Sequence, residues 1–312
     1  MRRLSSHALF HKIGPDSIGG KLTLWFLLVA FLPMLMIGVI AYRASRASLQ
    51  QQIVNQLDSL AENKVFFLRE HVARQLADVK RLSSNAAVKA LLSPEFAAKF
   101  PQLAAKTPDE RAERAAALLA QLRESNPDYS DILIADKDGK VRLAAFKAWN
   151  QSGKNLSELG FTKINAEQAA VSQVFMSPTA RTQVFVVTAP VTDQDGEAIG
   201  LAALEIELKT IHQLLTDRSG LGESGEVLII DKARRMLTPS RLQGGPALLD
   251  AVSDNSSTTL GLQGQSGHAF DSDYRGVPVI ASYRPLPEIG AALIAKIDQS
   301  EGLAPIIQLR NV

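Results

Sequence analysis

The sequence predicts an α+β fold: a membrane-spanning helix at the N-terminus, a long stalk helix after it, and two tandem small domains built on antiparallel sheets. Three observations carry this reading: a long uncharged run, a longer stretch free of Gly and Pro, and a strand-rich region that contains itself twice. With 46% apolar residues in 312, the chain has enough to pack cores. Its 34 basic and 32 acidic residues are interspersed and leave a charge of +2, with no basic run of the kind nucleic acid requires. Cysteine is absent, which removes disulfides, thiolate zinc sites and cysteine nucleophiles.

Residues Leu22 to Tyr42 carry no charge over 21 positions. At ~1.5 Å per residue a helix of that length crosses the ~30 Å hydrocarbon core. Residues 1–21 hold Arg2, Arg3, Lys12 and Lys21 against Asp16, whereas Arg43, Arg46, Asp58 and Glu62 mix both signs beyond the span. The positive-inside bias puts residues 1–21 in the cytoplasm and everything after Tyr42 outside it, as a single-pass protein of the inner membrane. A cleaved signal peptide is the competing reading, but its apolar core runs only ~7 to 15 residues, and an uncleaved anchor is the expectation.

From Arg43 to about Leu92 there is neither Gly nor Pro. Leu49, Ile53, Leu57, Leu60, Phe67, Val72, Leu76 and Val79 recur at mostly three- and four-residue steps, the period of one long amphipathic helix. Its apolar stripe either pairs with a second copy in a homodimer or carries the sheet domains. Ser93-Pro94-Glu95 marks a break and restart, and Thr107-Pro108-Asp109-Glu110 is a capping box with Pro at the first helical position. The helix it opens runs to Glu124 and is ended by Asn126-Pro127, so 43–125 is the helical part.

Beyond this point short β-branched runs and Asp-Gly turns take over. Asp131 to Lys137 (DILIADK) lines up with Glu226 to Lys232 (EVLIIDK) at an offset of 95, and Pro190-Val191 with Pro285-Leu286 at the same offset. Ile199-Gly200-Leu201-Ala202 then aligns with Ile289-Gly290-Ala291-Ala292 at an offset of 90, the turn between being shorter in the second copy. Two α+β modules follow, 126–217 and 218–305, joined through the glycines of Asp217 to Gly225.

Ser219 to Ile230 (SGLGESGEVLII), Met236-Leu237-Thr238-Pro239, Asp273-Tyr274-Arg275-Gly276-Val277-Pro278-Val279 and Glu301-Gly302-Leu303-Ala304-Pro305 together resemble the double Cache sensor region of bacterial chemoreceptors, sensor histidine kinases and cyclases. The likeness covers Arg43 to about Pro305. It implies two PAS-like Cache domains stacked along the long helix, the first membrane-distal and the second membrane-proximal, with a small-molecule ligand held between the sheet and loops of the distal one. It also implies a second span, which would begin at 306–312, and an output domain beyond. A chain truncated from a longer receptor is the expectation; a complete chain signalling through a partner is the alternative.

The five histidines are scattered without metal-ligand spacing, and no nucleophile elbow, phosphate loop or dinucleotide fingerprint occurs. No enzyme activity, metal or cofactor is therefore expected. Asp193-Gln194-Asp195-Gly196 reads as a hairpin turn and not as a calcium loop. Glu205 and Glu207 alternate with Leu204, Ile206 and Leu208 and share one sheet face, which is either wet or turned into a pocket. The resemblance implies that Glu205 stands where amino-acid-sensing relatives place an Asp that meets the ligand ammonium. It also implies an Arg-x-Trp-Tyr clamp for the ligand carboxylate, but Glu158-Leu159-Gly160-Phe161 stands there, leaving Arg181 or Lys147 to supply positive charge. Trp149, Phe161, Phe175 and Ser177 complete the candidate ligand site, as apolar walls with few polar groups, and Tyr274 and Tyr283 are candidates for a second pocket. The expected role is a membrane-anchored, extracytoplasmic small-molecule sensor; the alternative is an anchored interaction or dimerisation module that binds no ligand.

Overall fold

A computed structural model describes residues 18–101, 107–146, 153–159, 161, 168–216 and 221–304. The chain falls into two compact units, Val54–Glu301 and one made of the stretches flanking it. Helix α1 (Ile18–Ser84) contributes its first part to the flanking unit and the rest to the larger one. In the flanking unit every side chain from Lys21 to Ala44 is exposed, and this part of α1 is long and apolar enough to cross a membrane. Arg2, Arg3 and Lys12, on which the orientation rests, lie outside the described residues.

In the larger unit α1 buries Val54, Leu57, Ala61, Val65, Leu68, Val72, Gln75, Val79 and Leu82, steps of three and four that follow one side of a 3.6-residue helix. The stripe expected from sequence is close to this one, with one correction. Phe67 is 54% exposed beside the equally exposed Phe66, because the buried side passes through Leu68, about 100° further round the helix. The helix also stops earlier than expected, at Ser84. Asn85 accepts a hydrogen bond from the amide of Ala87 and caps α2 (Ala86–Leu92), and Ser93 caps α3 (Pro94–Lys99). The capping box at Thr107 and Glu110 is formed and opens α4 (Pro108–Ser125).

Two separate antiparallel sheets follow. The first holds β1 (Tyr129–Asp136), β2 (Val141–Ala144), β3 (Ala170–Val171), β4 (Phe175–Met176), β5 (Gln183–Thr192) and β6 (Ala198–Glu207), in the order β2-β1-β6-β5-β3 with β4 also on β5. The β5–β6 hairpin turns at Asp193, whose carboxylate accepts from the amides of Asp195 and Glu197, as read from sequence. Helix α5 (Lys209–Thr216) leads out; Lys64 of α1 donates to its Leu214 carbonyl and Thr210 to Asp128. The junction at 217/218 lies outside the described residues. The second sheet holds β7 (Glu226–Asp231), β8 (Gly267–Ser272), β9 (Pro278–Leu286) and β10 (Ala291–Asp298), in the order β7-β10-β9-β8, with α6 (Ser256–Leu262) packed on β9 and β10. A last turn, α7 (Gln299–Gly302), follows, and Glu301 accepts from the amides of Glu223 and Ser224.

The repeat is real in the strand ladders, but its final register differs from the sequence alignment. Ala135 sits opposite Leu201, and its counterpart Ile230 sits opposite Ala292, so the offset along the last strand is 91 and not 90. The two Ile-Gly pairs that suggested 90 are not structurally equivalent. Gly200 lies within β6, whereas Gly290 has left-handed backbone (φ 64°) in the turn before β10.

Each sheet packs both faces. In the first, one face lies against α2 and α4, and Tyr129 donates to Asp78 of α1 at 2.8 Å. The second is tied to α1 by Ser282 and Arg284 on Asp58 and by Arg284 on Glu62. Gly200 is where α2 meets the first sheet: a Cβ there would come within 2.3 Å of the Ala135 carbonyl oxygen and 2.6 Å of Leu92. Gly200→Ala is expected to cost about 1–3 kcal/mol through overpacking. Urea unfolding checks this, and a variant as stable as the parent contradicts the close approach.

Candidate functional site

The face of the first sheet turned away from the helices packs Leu133, Ala135, Val186, Leu201 and Ala203 with Leu156, Leu159 and Phe161 into one apolar cluster, and Phe175 lies against it. Phe161 and Phe175 meet edge to face at 6.1 Å. The alternation that places Leu201 and Ala203 there also brings Glu205 to that face.

Glu205 is fully buried, so the face is not wet. Its Oε1 accepts two hydroxyl hydrogen bonds, from Ser130 and from Ser177, each at 2.9 Å. Its Oε2 is buried without a partner among the described residues. Directly across the ladder stands Asp131, also fully buried. Asp131 Oδ1 accepts from the amides of Ile132 (2.7 Å) and Phe146 (2.9 Å). A β-bulge between Tyr129 and Asp131 explains how Ser130 and Asp131 both reach Glu205's side while Tyr129 points to α1.

Two facing carboxylates in an apolar setting resist ionisation. Burial pushes Asp131 up to about 6, although the Phe146 and Ile132 amides and the Arg123 guanidinium oppose the shift. Burial also raises Glu205, against hydrogen bonds from Ser177 and Ser130, and the charges of Asp131 and Glu207 add to the rise.

Of the sequence candidates, the structure joins Ser177 to Glu205 by a hydrogen bond and Phe161 to Phe175 by ring contact. Ser177 is itself fixed, accepting from the amide of Ala180 at 3.0 Å and bonded to Thr179. Arg181 is exposed, with φ 53°, in the turn that its amide closes on the Ser177 carbonyl. Trp149 and Lys147 lie outside the described residues. A cavity of about 400 Å³ borders Phe161, Leu156, Gly200 and Leu201 toward the β1–β2 turn, but Glu205 does not line it. Sequence reasoning passed over Ser130 and Asp131. The signal was present, since Asp131 is a charge inside the otherwise apolar strand DILIA.

The second sheet differs at the corresponding place. Tyr283 is part of the apolar cluster there and Tyr274 lies against it, while the equivalents of Asp131 and Glu205 are Glu226 and Lys296, which face each other across the ladder.

The chain matches the family model for the Cache domain over residues 45–306. No curated protein matches it. Similar solved structures include the sensor domain of the V. cholerae histidine kinase DctB (TM-score 0.56, 15% identity, covering 80% of this chain and 98% of that one). Another is the ligand-binding domain of the Pseudomonas fluorescens chemoreceptor CtaA in complex with L-isoleucine (0.54, 10%, 83% and 98%). A third is the sensory domain of the Campylobacter jejuni chemoreceptor Tlp3 with isoleucine bound (0.57, 12%, 82% and 97%).

The raised acids give a pH test. A carboxyl whose folded pKa is about 6 against 3.8 binds its proton more tightly in the folded state, so stability falls as pH rises from about 4 through 6. Asp131→Asn keeps the acceptor for both amides and removes that loss. The variant is expected to gain roughly 2 kcal/mol on the parent between pH 4 and pH 7. Urea unfolding of both proteins across this range measures the difference; a constant gap contradicts the assignment.

Proposed function

The chain belongs to the Cache-domain family, and from that premise we propose that it is the extracytoplasmic sensor portion of a bacterial signal-transduction receptor that reads a small primary amine at Glu205. In this reading residues 22–42 anchor it in the inner membrane, residues 1–21 are cytoplasmic, and the chain senses and does not catalyse. Two copies pair along α1, for which the exposed Phe66 and Phe67 give an apolar contact. The observation that carries the ligand class is the buried Glu205 carboxylate, with hydroxyls on one oxygen and a free second oxygen, opposite a second buried acid. A buried charge calls for a counter-ion, and an ammonium supplies three donors to one.

The neighbours from P. fluorescens and C. jejuni hold isoleucine, which carries such an ammonium. Their ligand also carries a carboxylate. The segment expected to grip it holds Leu156–Leu159 as a short 3-10 turn, followed by Phe161 in the apolar cluster, with no cation at 156–161. That favours an amine with an apolar body over an α-amino acid, the rings of Phe161 and Phe175 forming its wall. Arriving charge draws on Ser130 and Ser177 as well as on Glu205, and a ligand that prefers one arrangement of these groups shifts the population toward it.

A thermal-shift screen of the fragment from about Arg43 to Ile307 tests the reading. Primary alkylamines are expected to raise its Tm, and simple carboxylates are not. Glu205→Gln should weaken binding about 100-fold by removing a charge-assisted bond from a buried site. Protonation competes with the ammonium, so affinity should fall as pH drops through about 6, where Asp131 titrates. Stabilisation by anionic or neutral metabolites and by no amine would sink the proposal.

A further inference from the structure

In the second sheet the place of the free carboxylate oxygen is filled by the chain itself. Lys296 stands on β10 where Glu205 stands on β6, and its side chain is 3% exposed. Its ammonium lies 2.8 Å from Glu226, is hydrogen-bonded to Asp273, and sits 4.3 Å from the centre of the Tyr274 ring. Two carboxylates and an aromatic face are the groups that recognise a free ammonium.

The cage is held in shape by partners other than the lysine. Glu226 accepts from the hydroxyls of Tyr274 (2.5 Å) and Ser240 (2.8 Å). Asp273 accepts from the Arg275 amide (2.8 Å) and guanidinium (2.7 Å). Burial alone would raise Asp273, but Lys296 and Arg275 outweigh it and hold the carboxyl below its ordinary value. The cavity left beside the cage is about 20 Å³, room for one water and no metabolite.

We propose that Glu226, Asp273 and Tyr274 form a primary-ammonium site that the chain keeps permanently occupied with its own Lys296, so that the second sheet takes an amine from solution only when that side chain is removed. This holds whether or not Glu205 receives an ammonium, since it concerns a different set of residues.

Truncation to alanine removes three methylenes and the ammonium, which n-propylammonium matches in carbon count and charged group. Lys296→Ala in the full chain in detergent is therefore expected to melt below the parent and to be restored selectively. Ethylammonium and n-propylammonium at tens of millimolar should raise its Tm by about 5 °C or more beyond their effect on the parent. Tetramethylammonium and n-propanol, lacking the N–H donors or the charge, should not. The parent carries Glu205 as well, so its own shift reports any amine bound there and is subtracted. In Lys296→Ala/Asp273→Asn the rescue should be lost. If Lys296→Ala does not fold alone, refolding by dilution with and without n-propylammonium replaces the melt, and recovery only with the amine supports the site. Equal amine shifts in variant and parent, parent-like stability of Lys296→Ala without amine, or no recovery on refolding would each overturn it.

Discussion

The middle strands of both sheets, and the edge strand β7 of the second, are buried on both faces, and in the first sheet the described helices cover only one of those faces. β1, β5, β6, β7 and β10 are apolar and inaccessible along nearly their whole length. In the first sheet Leu156, Leu159 and Phe161, from the loops and short turns between strands, close the other face; in the second, Met236 and Val252 do so together with Leu260 and Leu262 of α6, while α1 meets the opposite face at Ser282. Any charge placed under that cover is cut off from water, at a cost of several kcal/mol unless the protein or a ligand compensates it. Both sheets place acids there, on equivalent positions of β1 and β7, and they differ in what answers the charge. In one, hydroxyls and amides do so incompletely; in the other, a lysine of the neighbouring strand does so fully.

The helix-side faces divide their work differently. The stripe from Val54 to Leu82 supplies apolar burial, which is non-directional and does not fix where along α1 a sheet docks. Register comes from the polar contacts: Asp58 and Glu62 with Ser282 and Arg284, Arg69 with Glu288 and the Pro285 carbonyl, and Asp78 with Tyr129. Exposed pairs such as Arg69 with Glu288 add about 1 kcal/mol at most, so their role is geometric. The contacts at Asp58 and Asp78 are a helix length of about 30 Å apart, and each sheet is thereby assigned its own stretch of α1.

Local rules were legible in the sequence because their causes are local. The uncharged run, the caps at Ser93 and Thr107, the Asp193 turn and the apolar period each depend on residues within one or two turns of one another. Phe67 was misplaced because steps of three and four accumulate an angular error that only the partner surface resolves. The repeat was legible from Asp131 and Glu226, but the register of the last strand was not. Gly200 and Gly290 are the same residue in different conformations, one extended within a strand and one left-handed in a turn. At an offset of 90 Glu205 matches Ala295, and the correspondence with Lys296 disappears; at the observed 91 it is plain. Of the candidate residues, Ser177, Phe161 and Phe175 were singled out by residue type and Glu205 by alternation together with the family resemblance, and the structure joins Ser177 to Glu205 and Phe161 to Phe175. Ser130 reaches Glu205 through a bulge, which strict alternation cannot foresee.

On the proposed reading, that bulge also bears on which sheet responds to a ligand. In β1 the peptide around Ser130 is released from the regular ladder, and on its two sides lie the Glu205 carboxylate and, through Tyr129, Asp78 of α1. A change in what Glu205 binds therefore meets the helix contact one residue away, at the point where the strand is least constrained. The pairing of β7 with β10 runs from Glu226 to Asp231 without a shift, and Lys296 clamps its first pair. Its contacts to α1 come from β9 instead, beyond the clamp. On the proposed reading, one sheet carries an open carboxylate beside a yielding strand and the other a closed ion pair beside a regular one. Differential affinity between two states can then act on the first sheet while the second keeps its grip on the same helix.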